Sequence, residues 1–166
     1  MTPDPSLERQ TPDVTIERCT SIKHRAWLDL RSELWPHCSK EEHLAEMTDI
    51  CSNPNRFSAF VAYDNAARPV GFAEGAVRTD YVNGTNSSPV GFIEGIYVVA
   101  NARHQGFGRA LVATVEAWAR SIGCREMASD ARIENDSSHA FHRAVGFSET
   151  QRVVYFRKDL AAKEQP

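Results

Sequence analysis

The chain has 166 residues, 42% of them hydrophobic and 25% charged, with a formal net charge of −3. That is enough for one domain with a sizeable core, and the absence of any basic stripe or Lys/Arg block argues against a nucleic-acid footprint. No run of 18 apolar residues occurs, which argues against a helical membrane span, and the polar stretch 1–13 lacks the apolar core of a secretory signal. The four cysteines, Cys19, Cys38, Cys51 and Cys124, are scattered with no C-x-x-C pair. Free thiols in a reducing cytoplasm are expected, with neither a disulfide framework nor a metal site.

Residues 1–13 hold three prolines and little to bury, and read as a disordered extension before a single domain over 14–160, with a short tail at 161–166. Residues 14–19 alternate and predict a strand. Thr20 or Ser21 would cap a helix reaching Leu34, with Ile22, Ala26, Leu30 and Leu34 as its apolar stripe and Pro36 as its stop. Ser39-Lys40-Glu41-Glu42 is a capping box that starts a second helix, whose buried face is Leu44, Met47, Ile50 and Cys51. Asn53-Pro54-Asn55 ends it. Residues 57–63 and 70–81 predict an antiparallel pair of strands around a turn-rich link.

Residues 90–99 form an apolar central strand. The helix pattern over 109–121 turns Leu111, Val115, Trp118 and Ala119 inward, and Gly123 closes it. A short strand at 126–129, a helix at 135–144 closed by Gly146, and extended segments at 147–151 and 153–158 complete the order β-α-α-β-β-β-α-β-α-β-β. This is an α/β protein with a mixed sheet.

Between the central strand and the long helix lies Arg103-His104-Gln105-Gly106-Phe107-Gly108. A strand, a Gly-containing loop and a helix N-terminus aim free N–H groups and the positive helix end at one point, where a pyrophosphate can sit. Gly106 and Gly108 remove Cβ atoms from the approach, and Arg103, His104 and Arg109 add donors at the rim. Neither the dinucleotide nor the P-loop fingerprint is satisfied. Taken alone, the pattern is equally that of an ordinary loop with two turn glycines.

This element order, with R-x-x-G-x-G after the fourth strand, resembles the GNAT superfamily of N-acetyltransferases. Asn135 followed by Phe141-His142-Arg143-Ala144-Val145-Gly146-Phe147 is similar to that superfamily's fourth-helix signature. Leu34-Trp35-Pro36, Asp80-Tyr81-Val82-Asn83-Gly84, Ser87-Ser88-Pro89-Val90, Glu94-Gly95-Ile96, Cys124-Arg125-Glu126-Met127-Ala128-Ser129-Asp130 and Glu134-Asn135 resemble aminoglycoside 6′-N-acetyltransferases of the chromosomal enterobacterial and Acinetobacter type. The resemblance covers roughly residues 14–158.

The resemblance implies a mixed central sheet with splayed fourth and fifth strands, flanked by helices, and acetyl-CoA as co-substrate. It implies that the pantetheine arm pairs with the backbone of Ile96, Tyr97 and Val98, where an N–H polarises the thioester carbonyl. The pyrophosphate grip would be Arg103, His104, Gln105, Gly106, Phe107, Gly108 and Arg109, with Asn135 a further contact. A polycationic drug calls for a carboxylate-lined groove, for which Glu94 and Asp130 are the matching acids. Trp35 matches an aromatic against the sugar and Tyr81 a further groove residue. Gln151 stands where relatives often carry a glutamate. His142 holds the position of a tyrosine that reprotonates the leaving thiolate, and Glu94 acting through water is the candidate base.

Structural roles remain open for each: Glu94 as a buried, paired structural acid, Asp130 as a turn residue, Trp35 as core, His142 as packing. Glu74 and Asp64 read as surface charges, although Glu74 in its strand could reach the groove. The rival functions are acetylation of another amine, such as a polyamine or a protein N-terminus, and a non-catalytic acyl-CoA-binding module. Related enzymes are commonly dimers, and the run Val153-Val154-Tyr155-Phe156 suits edge pairing between subunits as well as an internal strand.

Overall fold

The computed structural model describes residues 14–160; the expected extension 1–13 and tail 161–166 lie outside them. Five strands form one sheet in the order β1 (Thr15–Arg18), β2 (Phe57–Tyr63), β3 (Pro69–Arg78), β4 (Val90–Val98), β5 (Met127–Ser129). The first three junctions are antiparallel, and β4 with β5 is parallel. A parallel junction needs a crossover, which is helix α3 (Phe107–Ser121). The sheet is therefore mixed, with helices on both faces.

Two cores follow from the alternation of β2 and β3. Phe60, Ala62 and Ala73 point to one face, where α3 lays down Phe107, Leu111, Val112, Val115, Trp118 and Ala119. Ala59, Val61 and Phe72 point to the other, where α1 (Arg25–Leu34) and α2 (Lys40–Ser52) bring Trp27, Leu30 and Met47. Strands buried on both faces read as continuous apolar runs, and β3 is buried from Val70 through Ala76. Helix α4 (Asp136–Ala144) carries no fully buried residue and rests Phe141 against the first core.

Most boundaries agree with the sequence within three residues, and the Ser39 capping box of α2 is formed in both directions, Glu42 N–H to Ser39 Oγ and Ser39 N–H to the Glu42 carboxylate. Two expectations do not hold. Helix α1 starts at Arg25 with His24 as its cap, so Ile22 precedes it and is exposed. The buried stripe is Trp27, Leu30 and Arg31, because the Trp27 indole and the Arg31 guanidinium both reach a buried carboxylate on β3. Residues 147–160 join no strand among the described residues. A strand needs a neighbour for its backbone groups, and this segment instead folds back along the loop after β3: a Cβ built on Gly84 would fall on Thr150.

Candidate active site

The geometry turns on the end of β5. Gly91, Phe92 and Ile93 pair with Met127, Ala128 and Ser129, and there β5 stops. Strand β4 continues for five residues, Glu94 to Val98, with no partner on that side among the described residues. On its other side the register with β3 jumps from Glu74↔Gly95 to Gly75↔Ile93, so Glu94 is the extra residue of a β-bulge. The strands splay at this point and leave the backbone of Ile96, Tyr97 and Val98 along an open edge. The Tyr97 side chain is turned the other way: its hydroxyl donates to Glu33 on α1 at 2.7 Å, a bond that holds the phenol above its ordinary pKa.

Helix α3 begins where this edge ends. Its N-cap, Gly106, sits at φ 93° with no side-chain cap, and no acid occupies the first turn. The first-turn N–H groups have no intrahelical acceptor and point with the positive helix end at the space beyond Gly106. A Cβ at Gly106 would meet nothing within 4 Å, so the residue serves the left-handed turn and leaves room for an anion. His104 also has positive φ, 62°. Arg103 is turned along β4, donating through Nε to the Val98 carbonyl at 2.9 Å, and Gln105 donates to the Asn101 carbonyl at 2.8 Å.

Gly108 has a different task from the one its sequence suggests: a Cβ there would lie 2.8 Å from the Phe141 ring, so it admits α4. Phe107 is buried in the core and offers only its backbone N–H to the loop. Arg109 donates to the Ala144 carbonyl, tying α3 to α4. Asn135 caps α4, its Oδ1 accepting from Ser138 N–H at 3.0 Å and from the Ser137 hydroxyl at 2.9 Å. Its amide nitrogen makes no hydrogen bond among the described residues.

On the other side of the splay lies a cleft of about 790 Å³ that gathers Tyr81, Asp130, His142 and Gln151. Tyr81 is 76% exposed. Asp130 follows β5 directly and has no hydrogen-bond or ion-pair partner among the described residues. The lining is not the carboxylate-rich groove expected from sequence. Arg78, Arg132, Arg143 and Arg152 share it with Asp130, Glu134 and Glu149. Arg152 is paired with Glu149, which holds the Glu149 carboxyl below its ordinary value.

Glu94 does not line that cleft; Arg78, which does, donates to both Glu94 carboxylate oxygens at 2.8 and 2.9 Å. Glu94 is therefore a paired acid, as one reading of the sequence allowed, but exposed rather than buried. Trp35 is half-buried at the neighbouring bulge position. A Cβ on Gly95 would lie 2.5 Å from its ring, which sits edge-on to Phe72 at 5.8 Å with the Arg31 guanidinium 4.8 Å from its centroid. The sequence offered core and groove as alternatives for Trp35; its ring packs against the core on the α1 side of the sheet.

Beneath Trp35 is a polar network that sequence reasoning missed. Glu74, read as a surface charge, is 4% exposed and accepts from Trp27 Nε1 at 2.6 Å and from Arg31. Burial pushes its carboxyl above the ordinary value, against the pull of Arg31. Arg31 also reaches Glu46 and donates to His43 Nδ1 at 3.4 Å. Asp64 is a turn acid, accepting from the Ala66 and Arg68 N–H groups at 2.9 Å each.

His142 is half-buried between the rings of Phe141 and Phe147, and its Nε2 lies 2.9 Å from Ser129 Oγ. Ser129 was not singled out in the sequence. Among the described residues no group of three or more His, Cys, Asp or Glu could hold a metal ion.

A sheet splayed beside an uncapped helix N-terminus, with a cleft across the gap, defines an acyl-CoA-dependent transferase architecture. The chain matches the Acetyltransferase (GNAT) family over residues 24–147 and belongs to that family. It is 51% identical over 135 residues, 81% of this chain and 92% of the relative, to an aminoglycoside N(6′)-acetyltransferase type 1 of Serratia marcescens. A relative of the same name from Stenotrophomonas maltophilia is 49% identical over 146 residues, covering 88% and 94% of the two chains. Among solved structures, AAC(6′)-Iy in complex with the bisubstrate analogue CoA-S-monomethyl-acetylneamine superposes with a TM-score of 0.84 at 40% identity, over 88% of this chain and 98% of that one. The apo enzyme AAC(6′)-IG of Acinetobacter haemolyticus gives 0.82 at 40% identity, over 88% and 99%.

Proposed function

We propose that this protein transfers the acetyl group of acetyl-CoA to the 6′-amine of aminoglycoside antibiotics and so confers resistance to them. One observation carries the reading: the β4/β5 splay opens between an anion seat at Gly106 and a cleft holding Asp130, Tyr81 and Gln151. The similarity to aminoglycoside N(6′)-acetyltransferases supports it. Acetylation removes one positive charge, and phosphate-rich RNA rewards cations, so the product binds ribosomal RNA less well.

The residues fit acetyl-CoA. The open space at Gly106 and the free N–H groups of the first turn of α3 take the pyrophosphate, with Arg103, His104, Gln105 and Arg109 at its rim and Asn135 nearby. The Ile96–Val98 edge pairs with the pantetheine amides, and one of its N–H groups polarises the thioester carbonyl. Across the gap, Asp130 and Glu94 attract the ammonium groups of the drug, Trp35 and Tyr81 lie against its rings, and Gln151 supplies a neutral contact. Glu94, through water, accepts the ammonium proton and frees the amine for attack. His142 serves the proton transfers.

The functional unit we propose is one acetyltransferase domain over 14–160, working in the cytoplasm as a homodimer. Val154, Tyr155 and Phe156 are 77%, 82% and 93% exposed, an apolar run with unpaired backbone that suits pairing with a second copy. Sedimentation should show a dimer, and V154K/F156K a monomer.

The defining experiment is steady-state release of CoA thiol from acetyl-CoA with tobramycin, kanamycin and spermidine in parallel, and a kanamycin derivative lacking the 6′-amine as control. Turnover with kanamycin and none with the derivative is the expected result. Turnover with spermidine alone would reassign the protein to polyamines. Acetyl-CoA binding with no turnover would make it a binding module or an acetylase of another amine.

A further inference from the structure

The tautomer of His142 is fixed by its surroundings. Its Nδ1 lies 2.7 Å from the Ser138 carbonyl oxygen, one turn back on α4. A carbonyl only accepts, so Nδ1 carries the ring proton. Neutral His142 then presents a lone pair at Nε2, and the group facing it is the Ser129 hydroxyl at 2.9 Å. Ser129 Oγ has one hydrogen and two possible acceptors, this nitrogen and the Ile93 carbonyl at 3.4 Å; the shorter contact takes it. The resting imidazole is thus a proton acceptor, the reverse of the acid role implied by the family resemblance. Ser129 is also the last residue of β5, paired with Ile93, so its oxygen stands at the apex of the splay, and both side chains line the cleft.

We propose that Ser129 and His142 form a catalytic proton shuttle that carries the amine's proton to the leaving sulfur. This rests on the acetyl-transfer reading above. The amine lone pair forms the new N–C bond, and the thioester carbonyl pair moves onto oxygen. The cationic nitrogen then gives one proton to Ser129 Oγ as the Ser129 hydroxyl proton passes to His142 Nε2. Collapse restores the carbonyl and breaks the C–S bond, whose electron pair leaves on sulfur. The imidazolium returns its Nε2 proton to Ser129 Oγ, and Ser129 gives a proton to the thiolate. The products are the amide and CoA thiol, with the dyad restored. Once Glu94 has freed the amine, one device serves the addition intermediate as base and then the thiolate as acid.

The test is single-turnover acetyl transfer to tobramycin by the full-length protein, since release steps can mask chemistry in kcat. S129A and H142F, the latter keeping an aromatic between Phe141 and Phe147, are each expected to slow transfer about a hundredfold, with acetyl-CoA affinity by calorimetry unchanged. The double variant should be no slower than the slower single, because the two act as a unit, and S129T should recover most of the rate. The shuttle is overturned if either single variant keeps wild-type transfer, if the losses multiply, or if the loss is one of affinity. A measurement independent of any variant is the proton inventory of the wild-type chemical step in mixed H₂O/D₂O: two protons in flight give a curved plot, and a straight line overturns the proposal. Absence of turnover by the wild-type protein would remove the acetyl-transfer reading and the shuttle together, whereas wild-type turnover with unaffected variants removes the shuttle alone.

Discussion

Arg78 holds Glu94 in a two-point grip while its guanidinium lies 3.5 Å from the centroid of the Phe92 ring. Arg78 lies opposite Val90 and reaches along β4 past Phe92 to the bulged residue Glu94. Glu94, one of the two acids proposed to attract a cationic substrate, is thus already paired with a cation of the same chain. The two side chains are 38% and 37% exposed, so the pair is screened and worth about 0.5–1 kcal/mol.

Replacing Arg78 with glutamine should therefore lower KM for tobramycin about two- to fivefold at low ionic strength. The gain should vanish at high salt. E94Q should raise KM. Steady-state kinetics at two salt concentrations decide it, and an unchanged KM in R78Q would mean that Glu94 takes no part in substrate binding.

Glu74 presents the opposite case, a pair buried beneath Trp35. E74A leaves Arg31 buried with a carboxylate removed, and should cost about 3–5 kcal/mol in urea unfolding. E74L/R31M, which removes both charges, should be much closer to wild type. If the single and double variants lost equal stability, packing rather than charge would be the cause.

Gly106 and Gly108 separate by the same logic. G106A puts a Cβ into open space at φ 93°, at a cost of about 1–2 kcal/mol with α4 undisturbed. G108A drives a methyl to 2.8 Å from Phe141. Its loss should be relieved by F141L, while that of G106A should not. Thermal melts of the three single and two double variants read this coupling.

Glu126 accepts from the Asn86 N–H at 3.0 Å and from the Ser87 hydroxyl, which pins the loop before β4 and holds its carboxyl below the ordinary value. A folded-state pKa that is depressed adds stability above the unfolded value, here 4.5, and that stability is lost as pH falls toward the folded value. The thermal midpoint should drop with acidification through this window, and E126Q should flatten the dependence. An E126Q curve parallel to wild type would mean that other carboxylates set the acid limit.

The sheet and the loop-to-helix turn were legible because each is written locally: alternation over residues 14–19, an apolar run in β4, an inward stripe on α3, a capping box on α2. Of the candidate site residues, Tyr81, Asp130, His142 and Gln151 are gathered by the fold around one cleft. What escaped depends on pairs distant in sequence. Arg78 lies sixteen residues from Glu94, and Glu74 forty-three from Arg31; no periodicity links them. Ser129 is ordinary until the end of β5 places it against His142. A Gly108 beside Gly106 looks like part of the same phosphate loop until Phe141 is seen above it. The C-terminal segment reads as strand by composition, yet within one chain it finds no neighbouring edge.

The early end of β5 has a consequence for how this protein can vary. On the proposed reading, the seat of the acetyl donor is made of main-chain atoms: an unpaired strand edge and the first turn of a helix. The acceptor side is made of side chains, on the loop after β3, the end of β5 and the C-terminal segment. Substitution acts on these two halves unequally. A saturation scan scored by acetyl-CoA binding should be nearly flat across Ile96, Tyr97 and Val98, while one scored by drug preference should be steep at Tyr81, Asp130 and Gln151. Such a molecule can change the amine it modifies while keeping the chemistry by which it modifies it.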